Sequence, residues 1–446
     1  MAAWLDPRPA RGVLRSRVCE VAPGDPVTEF VSGWLRTGRG FLWWRPGEGF
    51  ALAGTGRAAA WVPQAGMHLA AVDAWWTQLR ASSRQVGGSG EPATGPLLFS
   101  GLAFDPTDDR LATDPDWRAF PPLAAVVPAR MATLRGGRAW LTLNDLGEDG
   151  PVEPSPTMLP SRPAPAIASV TDLPTAAAWS RRVGQLVGQL NEAFSRGEAE
   201  KVVLARSKRV LASAAFAPEH VLRRLAVDHA QSTVFAVGWG DRLFLGATPE
   251  LLVSTRGTAV RSASLAGSRP RGQSPERDQA LAADLLASDK DRREHAFVVA
   301  AITAGLRPLS RSVETADAPT ILRLPNVQHL LTEVTAEAKA PGALLQLVER
   351  LHPTPAVGGV PRAAAVAAIR RLEVRPRGWY AGTVGWVDAS GDGDFVVALR
   401  SGVLRGRRAL LYAGCGIVAG SNPEHEFAEA EVKFAPLLAA LGAASL

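Results

Sequence analysis

Two hydrophobic periodicities are interleaved along most of this chain, and they do not alternate regularly. Val183, Leu186, Val187, Leu190 and Phe194 recur at helical spacing within 176–196, the pattern of an amphipathic helix. Short β-type runs follow at 201–204, 233–237, 243–245 and 251–254. A second helix is expected over 276–306, and strands return at 379–387, 395–399 and 409–412. Asn422-Pro423-Glu424 then opens a last helix that runs to about Leu441. Asn422 or Ser421 is its expected N-cap, with Pro423 in the first turn. Regular strand–helix–strand repetition would predict a doubly wound parallel sheet. Its absence predicts an α+β fold.

The first third is different in texture. Residues 1–150 are rich in Trp, Gly and Ala with short strand-like runs such as 41–44 and 97–99, and read as a β-rich N-terminal portion. Six prolines between Pro151 and Pro165 mark 151–170 as a linker or surface connection. Residues 171–446 hold the sharper patterns. A chain of 446 residues can bury a large core without staples. Its two cysteines, Cys19 and Cys415, make neither a disulfide framework nor a four-thiolate zinc site, and fit a reducing compartment. The start carries no signal-peptide pattern, and no apolar run approaches the ~20 residues of a membrane helix. The expectation is a cytoplasmic protein, a monomer by default.

The net charge is +6, which raises nucleic-acid binding as a rival reading. That reading needs cations clustered on one face; here the arginines are scattered along the chain, and a mild positive field suits a small anionic substrate equally well. Of 49 Lys+Arg only five are lysine: Lys201, Lys208, Lys290, Lys339 and Lys433. In an arginine-biased chain, a retained lysine marks a place where a titratable or compact ammonium is wanted.

Spacing gathers several groups that could carry chemistry. Glu426, Glu429 and Lys433 share one face of the last helix. By itself that stripe is ordinary, a solvated face with one intrahelical pair. Gly414, Gly416 and Gly420 precede it, predicting a flexible, close-approach loop that offers backbone N–H groups to an anion. Asp291 and Glu294 repeat the spacing on the 276–306 helix. If the two faces met, four carboxylates would converge. Oxygen donors without a Cys/His cluster point to Mg²⁺ rather than zinc. His295, beside Glu294, reads as a packed residue. Lys201 stands at the start of an apolar run, usually a solvent-facing position. Desolvated there, a lysine sheds its proton more readily and can act as a base. Glu250 lies between a turn and an apolar strand, either a turn residue or a buried acid. Residues 264–272 read as a basic, glycine-bearing loop able to cradle an anion, without the Gly-Lys-Ser/Thr of a Walker loop. Residues 351–359 are stiff and turn-rich.

Taken in order, KVVLAR, FLGATPELLV, SLAGSRPRG, SDKDRREHAFVV, LPNVQHLLTEV, LHPTPAVGGVPR, RGWYAGTVGWVD, VVALRSGV and AGCGIVAGSNPEHEFAEAEVK resemble the chorismate-utilising enzymes. That family contains the isochorismate, anthranilate, aminodeoxychorismate and salicylate synthases. The resemblance covers about 175–441; the N-terminal third joins it loosely, through FSGLAFDP at 99–106. It implies one large two-layered α/β sandwich, with the site between the layers and the C-terminal helices. It implies Mg²⁺ held by Glu294 and Glu429, with Asp291 and Glu426 acting nearby. It also implies substrate carboxylates met by Tyr380, Arg400, Lys433 and the backbone at Gly416, with Gly267, Ser268 and His329 lining the site.

Within the family, the resemblance to isochorismate synthases is the strongest. They add water at ring carbon 2 of chorismate and expel the carbon-4 hydroxyl. Lys201 resembles their base and Glu250 their acid. Anthranilate synthases usually lack that lysine, and aminodeoxychorismate synthases often carry a lysine nucleophile where Ala266 stands. Ala356 matches isochorismate synthases, whereas lyase members tend to have threonine. The implied activity is Mg²⁺-dependent conversion of chorismate to isochorismate with no glutamine amidotransferase subunit; salicylate synthase is the alternative. Isochorismate feeds menaquinone, siderophore and salicylate synthesis. Two positions depart from the family pattern: Cys415 replaces a common alanine, and Ser264-Leu265 a more usual Pro-Leu.

Overall fold

Residues 12–61, 68–88, 90–146, 163–195 and 200–443 are described by a computed structural model. Most of the proline-rich segment expected at 151–170 lies outside them. Two large sheets dominate. One is thirteen-stranded, running Ile167–Leu173, Lys201–Ala212, Arg408–Val418, Ser401–Arg405, Arg242–Thr248, Thr233–Trp239, Arg39–Arg45 and Phe50–Thr55 before closing with four more N-terminal strands. Gly359–Val360 adds a short pairing to Lys201–Ala212. The other is ten-stranded and centred on Val327–Ala338, Ala259–Pro270, Leu251–Arg256, Gly393–Val397, Thr383–Asp388 and Leu97–Leu102. Nearly every pairing is antiparallel, as an α+β fold requires; Arg15–Val21 with Arg84–Val86 is a parallel exception.

The N-terminal third supplies strands to both sheets. Thr233–Trp239 pairs with Arg39–Arg45, and Thr383–Asp388 with Leu97–Leu102. Aromatic residues knit the halves: Trp117 meets Phe244 edge-on at 5.4 Å between centroids, and Phe244 meets Trp379 at 6.2 Å. Such pairs contribute ~0.5–1.5 kcal/mol each beyond the area they bury.

The chain crosses between the sheets at two places that matter. Pro249 and Glu250 link Arg242–Thr248 in one sheet to Leu251–Arg256 in the other, and 398–400 link Gly393–Val397 back to Ser401–Arg405. The crossings are tied together: the Thr248 hydroxyl donates to the Val397 carbonyl at 2.7 Å, and the Val397 N–H to the Glu250 carbonyl at 3.0 Å. Two residues far apart in sequence, Glu250 and Arg400, are thereby brought to one end of the sandwich.

Three local expectations are corrected. The single helix over 276–306 is two, Pro275–Ala287 and Asp289–Leu306. Ser288 is extended between them, and its hydroxyl accepts from the Asp291 N–H at 3.3 Å. A serine that can cap a helix start competes with continuation of the preceding one. The basic stretch expected as a loop at 264–272 is mostly strand, the end of Ala259–Pro270, with a bulge between Ala266 and Ser268. Gly267 takes φ +76° at the bulge, a conformation that suits glycine. Gly414 and Gly416 belong to the strand Arg408–Val418 rather than a flexible loop. The last helix, Pro423–Ala440, starts as expected: the Asn422 side chain accepts from the N–H groups of Glu424 and His425. Those N–H groups are thus capped by the protein itself. On its far side, buried Arg206 engages Asp172 and Glu431 and stacks over Phe427 at 3.7 Å, fastening this helix to Lys201–Ala212.

Candidate active site

Where the sheet crossings meet the helices Asp289–Leu306 and Pro423–Ala440, the chain encloses a cavity of about 380 Å³. That is within the ~300–1,000 Å³ of small-molecule sites. The residues that the family resemblance assigned to the site all line it: Lys201, Glu250, Gly267, Ser268, Asp291, Glu294, His329, Ala356, Tyr380, Arg400, Gly416, Glu426, Glu429 and Lys433. The two helix faces that spacing left unconnected therefore open onto one space.

Lys201 is buried rather than solvent-facing, because strands flank it on both sides: it pairs with Val418 and with Val360. Its Nζ lies 2.7 Å from Glu294 Oε1. Gly416 faces this pair. A Cβ there would sit 2.8 Å from Glu294 Oε1 and 2.9 Å from Lys201 Cε, so any other residue would push one of the pair aside.

Glu250 is buried on the opposing crossing. Burial pushes its carboxyl up to about 7, against the pull of Lys201, Lys433 and Arg400. It therefore holds a proton near neutrality, as a general acid must. Arg400, also buried, has φ +49°, and Ala381 beside Tyr380 has φ +59°. Two non-glycine residues in the left-handed region, each costing ~1–3 kcal/mol, face one cavity; such strain gathers where a side chain must be aimed. The Tyr380 ring stacks on Tyr412 at 5.1 Å, and burial raises its hydroxyl to about 12, keeping it a donor.

His329 is a neutral imidazole. Burial, then Arg400 and Lys433, push it down to about 3. Its Nδ1 lies 2.9 Å from the Ser268 hydroxyl and 3.3 Å from the Gly267 carbonyl. A carbonyl only accepts, so we place the proton on Nδ1, which leaves Nε2 as an acceptor. The bulge at Gly267 is what turns both partners toward His329.

The four carboxylates are each engaged by a cation: Glu294 by Lys201, Glu429 by Lys433 at 2.6 Å, Asp291 by Arg269 at 3.0 Å and Glu426 by Lys290 at 3.8 Å. Among the described residues no three His, Cys, Asp or Glu side chains are gathered closely enough to hold a metal ion as they stand. By donor type the four carboxylates suit a hard divalent cation, which would take the place of the lysine and arginine partners they hold in this structure. Burial and the neighbouring Glu429 both push the Glu426 carboxyl up. Burial acts the same way on Glu429, but Lys433 prevails and holds it below the usual range.

A profile of the family described as "Chorismate binding enzyme" matches residues 7–442. The chain belongs to the chorismate-binding enzymes. It is 33% identical over 448 residues to the isochorismate synthase MenF of Bacillus subtilis, covering 96% of this chain and 94% of that one. It is 35% identical over 450 residues to the salicylate biosynthesis isochorismate synthase of Pseudomonas aeruginosa, covering 97% and 91%. Among solved structures, the putative 2,3-dihydroxybenzoate-specific isochorismate synthase DhbC of Bacillus anthracis superposes with a TM-score of 0.74 at 29% identity, over 94% of this chain and 99% of that one.

In this chorismate-binding enzyme the basic stretch at 264–272 does reach the cavity, through Arg269. Two further lining residues were not assigned from the sequence: Arg377, and Tyr412, whose hydroxyl accepts from Trp117 Nε1 at 2.7 Å. Both are placed by partners distant in sequence. Cys415 lines the cavity as a buried thiol, its ionisation suppressed by burial and then by Glu429 and Glu426. His295 does not face the site: it packs beneath, with Nε2 2.8 Å from the Thr332 hydroxyl. Among the described residues no helix is long and apolar enough to cross a membrane.

Proposed function

We infer that this chain is an isochorismate synthase, converting chorismate to isochorismate. The observation that carries the chemical assignment is the pairing, across one cavity, of buried Lys201 with a Glu250 that holds its proton to about pH 7. With Lys201 in its neutral amine form, its proton having been released to solvent, water attacks ring carbon 2 and gives its proton to Lys201 Nζ. The ring double bonds shift, the bond from carbon 4 to its hydroxyl breaks, and Glu250 protonates the departing oxygen as water. One water enters and one leaves, so the reaction is an isomerisation and needs no ammonia-supplying amidotransferase subunit.

The substrate is a dianion. Arg400 and Lys433 supply fixed positive charge, and Tyr380 and the neutral His329 supply a donor and an acceptor that orient the ring. A Mg²⁺ held by Glu294 and Glu429, with Asp291 and Glu426 close by, would supply charge neutralisation for the ring carboxylate. The free thiols of Cys19 and Cys415 support a cytoplasmic location. The test is to incubate the protein with chorismate and Mg²⁺ and separate the products. Isochorismate is expected; salicylate with pyruvate would make it a salicylate synthase, and unchanged chorismate would end the proposal.

A further inference from the structure

Arg377 is a cation in the cavity wall that substrate binding does not explain. Its side chain is buried, and every nitrogen is already engaged. Nε donates to the Glu373 carboxylate at 3.0 Å, Nη1 to the Val357 carbonyl at 2.7 Å, and Nη2 to the Val203 carbonyl at 2.6 Å. One face of the guanidinium covers the Phe104 ring at 4.2 Å. Glu373 in turn accepts the Ala205 N–H at 2.7 Å.

These partners belong to three segments that carry the site. Val203 and Ala205 lie on the strand that begins at Lys201. Val357 follows Ala356 in the turn-rich stretch. Arg377 itself precedes Tyr380. The strand and the stretch are joined by a short ladder: Lys201 opposite Val360, Val202 opposite Gly359, and the Val203 N–H on the Gly358 carbonyl at 2.8 Å. The ladder ends there, and beside the cavity the carbonyls of Val203 and Val357 both accept from Arg377. Two buried carbonyls without a donor would be costly. Arg377 satisfies both with the planar fork that lysine lacks.

We propose that Arg377, held by Glu373, is a positioning residue that sets the distance between the Lys201 wall and the Ala356 wall, and so aligns the base with the ring. The proposal rests on the isochorismate synthase reading. Because four of the five Arg377 N–H groups are committed to the protein, two of them to Glu373 and one each to Val357 and Val203, its loss should act mainly on kcat rather than KM. In Arg377→Ala, kcat is expected to fall at least tenfold with KM changed less than threefold. Millimolar guanidinium should restore kcat saturably, entering through the adjacent cavity, where equal potassium chloride does not; a merely loosened fold would be harmed by guanidinium instead. Turnover within twofold of wild type, a loss confined to KM, or a loss in the folded variant that guanidinium leaves untouched would each overturn the proposal.

Should Arg377→Ala not fold, Arg377→Lys is measured by hydrogen exchange. Amides of 201–206 and 354–360 are expected to exchange at least tenfold faster with the rest unchanged, and unchanged protection there overturns the bracket. Inactive wild-type protein counts against the proposed function alone, and the exchange comparison, which needs no substrate, still decides the role of Arg377.

Discussion

Replacing Glu250 by glutamine should make this protein more stable and nearly inactive, with the two effects separable by pH. In the folded chain the carboxyl stands at about 7 instead of the ordinary 4.5, chiefly through burial. At 1.36 kcal/mol per pK unit, that difference amounts to about 3 kcal/mol. The sign follows from linkage: the folded state holds the proton more tightly, so this contribution to stability is present in full below 4.5 and is lost as pH rises through about 7. Glutamine imitates the protonated form. Urea unfolding of wild type and Glu250→Gln should therefore agree within experimental scatter at pH 4.5 and diverge at pH 8, the variant gaining up to about 3 kcal/mol. Turnover, followed by separating chorismate from isochorismate, should fall by ~10²–10⁴ below about pH 7 because the leaving oxygen finds no proton, and the gap should narrow at higher pH as wild type loses its own proton. Wild-type turnover should decline on the alkaline side near pH 7. A stability gain of equal size at both pH values would refute the buried-acid argument, and unchanged turnover would remove Glu250 from the acid role.

Other outcomes follow from the same geometry. Lys201→Ala should lower kcat at least tenfold with normal folding by circular dichroism; normal turnover would sink the base assignment. Gly416→Ala places a methyl 2.8 Å from Glu294 Oε1, so loss of chorismate turnover is expected in a protein that still folds, and full activity would show that the strand can retreat. Glu429→Ala should abolish the Mg²⁺ dependence of chorismate binding measured by calorimetry; an unchanged titration removes it from the metal set. Gly378→Ala combines φ +58° with a Cβ 1.9 Å from the Trp117 ring and should cost about 2–4 kcal/mol in chemical denaturation, whatever its effect on activity.

Local patterns carried a good part of this protein. The last helix is readable to within a residue at its start, because Asn422 and Pro423 act through backbone groups next to them. The face shared by Glu426, Glu429 and Lys433 follows from helical period alone. Lysine scarcity pointed the right way for the same local reason: Lys201, Lys290 and Lys433 all line the cavity, whereas Lys208 binds Asp172 and Glu431 and Lys339 the Pro308 carbonyl. Period and capping depend on neighbours within a few residues, and a sequence displays those directly.

What the tertiary structure alone decided is where these pieces meet and what that does to their chemistry. Nothing near Glu250 announces a carboxyl at about 7; the desolvation arises because two sheet crossings, at 249–250 and 398–400, close over it. Gly414 and Gly416 looked like loop residues because glycine spacing does not distinguish a hinge from a strand that must touch a lysine. The Gly267 bulge and the Arg377 bracket depend on partners dozens to more than a hundred residues away. Burial, ion pairing and convergence are properties of distance in space, which the order of residues along the chain encodes only through the finished fold.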